Sequence, residues 1–267
     1  MWIRDRYKEE VGKSKLKAEA TPGYEEDYRG LDEFENQEGA QRDTCRTHIA
    51  RALFLSRCTR GDVSYSVGYL ARKVTQWTRA TDKRLERLMG YLESTKDLVL
   101  VFTFDHSKKW SIEDLTVEVY CDSSHGDDEA TGRSTTGWTA FLRAYVDTER
   151  VMSALVDWSS RRQAATAWST PEAETIATKE AVMEGGLPIL GTLDQVLCRV
   201  VEMALKTDND ASRLAIEKGV SLKLRYTRRY QRLSVAGLHD AFYGGAIDEY
   251  VLDFPQERKA SHSEVLE

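Results

Sequence analysis

The sequence predicts an α/β fold: a mixed five-stranded sheet flanked by helices, preceded by a small all-helical unit. Three observations predict it. From about Cys45 to Lys96, apolar residues recur at three- and four-residue spacing, the period of an amphipathic helix. From about residue 111 they fall in short runs rich in Val, Thr and aromatics, the texture of strands. The elements then follow in the order βββ, α, β, α, α, β, which suits a mixed sheet with helices on its faces. With 267 residues, 41% of them hydrophobic, the chain has material for one sizeable core and a satellite unit.

The elements divide the chain in three. Residues 1–43 are highly charged, almost without branched aliphatics, and read as a flexible leader. Residues 44–110 form the helical segment, where "DKRLERLMGYL" places Leu85, Leu88, Met89 and Leu92 on one face. Asp62 and Asp82 are read there as helix N-caps. Residues 111–267 carry the sheet. "LTVEVYCD", "STTGWTAFLRA" and "ALVDWSSRR" are its first three strands, and helices return at 170–197, with Thr170 as N-cap and Pro171 as the first helical residue. "VEMALKTD" is the fourth strand, followed by the helix "NDASRLAIEKG", the basic stretch "LKLRYTRRYQRLSVAGLHDAF" and a short last strand "DEYVLDF". No internal repeat interrupts this order.

Composition excludes several classes. No window has the roughly 18 to 20 consecutive apolar residues of a membrane span, and the N-terminus lacks the apolar segment of a secretion signal, so a soluble intracellular protein is expected. Cys45, Cys58, Cys121 and Cys198 are scattered without metal-binding spacing. A formal charge of −6 argues against a protein that coats nucleic acid.

Three acids occupy similar structural addresses. Asp122 ends the first strand, Asp208 ends the fourth, and Glu174 lies in the first turns of the helix after "WSTPEAE". If the strands of Asp122 and Asp208 are parallel neighbours, their C-terminal ends coincide where open α/β sheets place ligands. Several carboxylates held together repel and raise one another's pKa values, so such a group suits a hard divalent cation. Two Mg²⁺ or Mn²⁺ ions would serve phosphodiester hydrolysis. Asp208 can instead simply cap the next helix. Glu172 competes with Glu174, since residues two apart on a helix point in nearly opposite directions; periodicity does not choose between them, and Glu180 is a reserve.

"YCDSSHGDDEATGRSTTGWTAFL", "VDWSSRRQAATAWSTPEAETIATKEA" and "KTDNDASRLAIEKG", in this order, resemble the ribonuclease H domain of copia-type retrotransposon polyproteins. Upstream, "ARALFLSRCTRGDVSYSVGYLARKV" and "RLERLMGYLESTKDLVLVF" are similar to the reverse transcriptase thumb and connection of the same elements. The resemblance covers most of residues 44–253. It implies a ribonuclease H-like fold and cleavage of the RNA strand of RNA–DNA hybrids by a two-metal mechanism. It also implies that Asp122, Glu174 and Asp208 are metal-binding catalytic carboxylates, Glu174 being the second Glu of "EAE". Two departures stand out. Ser124 and His125 replace an acid and a Trp found in many relatives, and the usual fourth carboxylate motif is missing, leaving Asp253 and Glu257 as substitutes. The paired aspartates of a polymerase palm are absent too, so no DNA synthesis is expected of this chain alone.

For the hybrid, Arg161, Arg162, Lys223, Arg225, Arg228, Arg229 and Arg232 are the phosphate contacts the sequence offers, against the alternative of a solvated face. Arg72, Lys73, Arg79, Lys83 and Arg84 are a second, weaker set. Trp77, Trp138, Trp158 and Trp168 are read as packing residues. A complete reverse transcriptase is a further partner open to such a chain. The competing reading is an inactive retrotransposon remnant that keeps the fold and at most binds nucleic acid.

Overall fold

Alternating apolar and polar residues between 115 and 162 build three long antiparallel strands: β2 (Leu115–Asp128), β3 (Arg133–Val146) and β4 (Glu149–Arg162). In the computed structural model, which describes residues 2–24, 28–128, 130–243 and 250–251, they form the centre of one mixed sheet. β5 (Glu202–Lys206) joins β2 in parallel, and β6 (Tyr250–Val251) joins β5 in parallel. The five predicted strands are thus present. A two-residue β1 (Thr103–Phe104) adds to the far edge on β4, giving the order β1-β4-β3-β2-β5-β6.

Helix α5 (Thr170–Glu180) packs Ala173 and Ile176 into one core with Val117, Val119 and Cys121 of β2. Its N-cap is Ser169, one residue ahead of the predicted Thr170. The Ser169 hydroxyl accepts from the Glu172 amide at 3.4 Å, and Pro171 still falls in the first turn, where no intrahelical donor is needed. Of the helices expected over 170–197, α5 gives way to π-helical turns at Ala181–Gly186 before α6 (Leu187–Leu197). There Gly186 lies so close to the sheet that a Cβ would collide with Met203 Sδ. α7 (Asp210–Glu217), α8 (Thr227–Tyr230) and α9 (Val235–Tyr243) complete this part.

The helical unit has a core of its own. α2 (Cys45–Cys58), α3 (Ser64–Arg72) and α4 (Arg79–Ser94) bury Ile49, Val67, Leu70, Leu85, Leu88 and Met89. Trp158 of β4 joins this unit to the sheet, its indole N–H donating to the Ser56 carbonyl at 2.7 Å. Neither predicted aspartate caps a helix. α4 starts from Thr78, which exchanges hydrogen bonds with Thr81. Asp82 instead holds the preceding loop, accepting from the amides of Ala40 and Gln41 and from the Trp77 indole. Asp62 sits in a 3₁₀ turn between Arg60 and the Tyr91 hydroxyl. Burial alone would raise its carboxyl, but those bonds and the Arg60 charge hold it below the usual value.

The leader expected to bury little surface over residues 1–43 packs instead. Its helix α1 (Trp2–Val11) inserts Tyr7 into the helical core, and Leu31 is buried further on. The charges that read as disorder find partners on neighbouring helices: Arg4 with Glu93 at 2.7 Å, Glu10 with Arg51 at 3.0 Å and Glu19 with Arg87 at 2.9 Å. Composition averages over such pairing. No helix among the described residues is long and apolar enough to cross a membrane.

Candidate metal centre

The parallel pairing of β2 with β5 matches Tyr120 to Lys206, so two residues further along Asp122 and Asp208 come side by side. Asp122 does not end its strand as expected: β2 runs on to Asp128 with Asp122 still paired to Gly137 of β3, whereas Asp208 lies two residues past the end of β5. The N-terminal half of α5 lies over the same edge and brings in Glu174. One oxygen of each carboxylate falls within 4.8 Å of the other two, the group the sequence predicts. Asp122 and Asp208 are exposed, while Glu174 is 4% exposed. Asp122 is steadied by the Ser123 amide, which donates to its Oδ1 at 2.7 Å; the Ser123 hydroxyl donates to Glu174 Oε1 at 3.0 Å. Just beyond, Gly126 has a φ of 71° where the register of β2 on β3 shifts between Ser124 and Asp128.

The electrostatics of this group are unrelieved. Burial, reinforced by the charges of Asp122 and Asp208, pushes the Glu174 carboxyl up to about 7. Its Oε2 is buried without a hydrogen-bond partner. A buried, unpaired carboxylate oxygen facing two more acids is what a hard cation with oxygen ligands would satisfy, so these residues fit Mg²⁺ or Mn²⁺.

The structure also separates the competing acids. Asp208 does not cap α7, because Asn209 does so, accepting from the Ser212 amide at 2.9 Å. Glu172 is fully buried, but its oxygens are used: Oε2 accepts from the Trp168 amide and the Tyr226 hydroxyl, both at 2.8 Å, and Oε1 from Gln231 at 3.1 Å. Glu180 pairs with Arg161 at 3.3 Å. His125 is outside the group, its Nε2 lying 3.4 Å from the Ala167 carbonyl. Asp253 and Glu257 lie outside the described residues.

The basic residues divide. Arg161 pairs with Glu180 and Glu184, and Arg162 with Asp128, so neither is left free for phosphate as predicted. Lys223, Arg225, Arg228, Arg229 and Arg232 are exposed. The second set stacks within the helical unit: Arg72 and Lys73 over Tyr69, Arg79 and Lys83 over Phe34, Arg84 over Tyr24 and Tyr69. Trp77 and Trp138 are buried and Trp158 is partly so, as expected of packing residues, but Trp168 is 76% exposed. An exposed Trp beside the "EAE" motif has no signal in sequence periodicity.

Fold and site together define an α/β protein of the ribonuclease H-like class with three acids gathered at one sheet edge. No protein-family profile matches the chain. Among curated proteins it is 29% identical over 137 residues to a Saccharomyces cerevisiae protein named "Putative transposon Ty5-1 protein", a stretch covering 51% of this chain and 39% of that one. It is 30% identical over 126 residues to an uncharacterized mitochondrial protein of Arabidopsis thaliana, covering 47% of this chain and 46% of the relative. It is 27% identical over 136 residues to secreted RxLR effector protein 161 of Plasmopara viticola, covering 51% and 84%. The chain is a relative of copia-type retrotransposon proteins, as its motifs indicate, and its matches span less than half the length of the first two.

Proposed function

We propose that this chain is a ribonuclease H-type phosphodiesterase that hydrolyses the RNA strand of RNA–DNA hybrids. The observation that carries this reading is the group formed by Asp122, Glu174 and Asp208, with its unpartnered Glu174 oxygen. The transposon name of one relative supports it, since copying an RNA element into DNA leaves hybrids to be removed.

In this reading Asp122 and Asp208 approach from two rigid strands, and Glu174 closes the group from the helix. Two divalent cations, when bound, supply water activation and stabilisation of the leaving oxygen. Ser123 orients Glu174 through its hydroxyl, and the small residues after Asp122 leave space for a phosphate. The exposed Lys223, Arg225, Arg228, Arg229 and Arg232 supply phosphate contacts, whose binding weakens with salt.

The purified chain, given end-labelled RNA–DNA hybrid and Mg²⁺, is expected to cut the RNA strand and leave the DNA intact, and Asp122→Asn is expected to stop the cutting. Cleavage that persists in this variant, or that spares neither strand, would overturn the assignment.

A further inference from the structure

Trp168 stands out from the other tryptophans described above. Its ring meets Tyr226 at a centroid distance of 5.9 Å and the edge of Tyr230 at 6.5 Å. Tyr226 and Tyr230 are themselves 39% and 52% exposed, so three aromatic rings share one patch of surface. Burying an indole of this size ordinarily stabilises a fold, and the protein leaves it in water.

The patch is held firmly all the same. The buried Glu172 carboxylate takes the Trp168 amide and the Tyr226 hydroxyl on one oxygen and Gln231 on the other, and Gln231 also donates to the Thr166 carbonyl at 3.1 Å. One acid thereby ties the loop before α5 to the basic segment around α8. Glu172 is two residues from Glu174, so the same helix fixes both the patch and the carboxylate group.

The chemistry of a partner follows from what surrounds the rings. Arg225, Arg228 and Arg229 are exposed, and no carboxylate among the described residues pairs with them, which favours a polyanion over an apolar peptide or a second copy of this acidic chain. A polyanion that also offers flat aromatic faces is a nucleic acid strand. Bases inside a duplex have both faces covered by their neighbours; away from a duplex end, an exposed ring can stack only on an unpaired base.

We propose that Trp168, with Tyr226 and Tyr230, is a stacking platform for an unpaired base in a single strand continuing from the duplex, with Arg225, Arg228 and Arg229 on its phosphates. This rests on the ribonuclease H reading for the duplex, but the stacking itself does not require cleavage.

The test is fluorescence anisotropy of the full-length chain in EDTA, where no metal-dependent cutting occurs, with labelled single-stranded DNA, a blunt RNA–DNA hybrid and the same hybrid carrying a single-stranded overhang. Trp168→Ala is expected to weaken the single strand and the overhang substrate about tenfold and the blunt hybrid by less than twofold. Trp168→Phe is expected to restore most of the loss. The parent's tryptophan fluorescence should be quenched by single-stranded DNA, and this change should disappear in Trp168→Ala. Equal binding by parent and Trp168→Ala, equal loss on all three substrates, or no binding of single strand by the parent would each overturn the platform. Failure of the cleavage assay with an intact stacking result would instead overturn the hydrolytic reading alone.

Discussion

Glu118 and Asp122 lie four residues apart on β2, and their surroundings are opposite. Glu118 is buried beneath Arg143, and its oxygens also accept from the hydroxyls of Tyr120 at 2.8 Å and Tyr145 at 2.6 Å. Arg143 is covered in turn by the ring of Phe141, 4.5 Å away. Four residues on, just past the stretch that pairs with β5, Asp122 has its neighbour's amide and two further acids. One of these positions on β2 meets every condition for a stable buried charge, and the other meets almost none. The strand is anchored where it is satisfied so that it can hold charge where it is not.

The largest expected effect would sharpen this comparison on activity. Asp122→Asn should lower hybrid cleavage by roughly 10³-fold or more, since charge stabilisation of several kcal/mol is lost at about 1.4 kcal/mol per decade. Its thermal melting should not fall. Glu118→Gln should do the reverse: it leaves the Arg143 guanidinium buried without its counter-charge, and urea unfolding should report a loss of about 3–5 kcal/mol, with cleavage retained below the melting range. A loss of activity without loss of stability in Glu118→Gln would break the contrast.

Glu174→Gln comes next, and its sign depends on pH. Below pH 4.5, the ordinary value, the Glu174 carboxyl is protonated in both folded and unfolded chains and contributes nothing. Between 4.5 and about 7 the unfolded chain ionises while the folded one keeps its proton, so metal-free stability falls as pH rises, by up to about 3 kcal/mol. Glu174→Gln removes that dependence, and without Mg²⁺ it should be the more stable protein at pH 8 by denaturant titration. Added Mg²⁺ should then raise the melting temperature of the parent and not of the variant. The smallest effect concerns the joint between the two cores: Trp158→Phe leaves the Ser56 carbonyl without its donor and should cost about 1 kcal/mol in the same titration.

Much of the site was legible because its parts are local. An acid closing an apolar run and followed by small residues marks Asp122, although the strand itself runs on to Asp128 through its pairing with β3. A Ser-Thr-Pro start marks the turn of helix bearing Glu174. What could not be read was pairing across the fold. Glu172 and Glu174 are equivalent by periodicity, and they differ because Tyr226 and Gln231, more than fifty residues away, occupy Glu172. Arg161 and Arg162 read as phosphate contacts because their carboxylate partners come from another helix and another strand. Tyr7 is the same lesson in the other direction, an aromatic in a charged segment that an adjacent helical core takes in.

The parallel docking of β5 on β2 has a consequence for the life of the chain before it is finished. Partners across that pairing, such as Thr116 and Glu202, are 86 residues apart in sequence. During synthesis at roughly 5–20 residues per second, the first acid emerges about 4 to 17 seconds before the last. β2, β3 and β4 can zip together as neighbours in that interval, but the edge where the acids meet is not built until β5 arrives. A nascent chain is therefore unarmed, and the ability to cut nucleic acid, on the reading proposed above, is switched on by completion of the sheet.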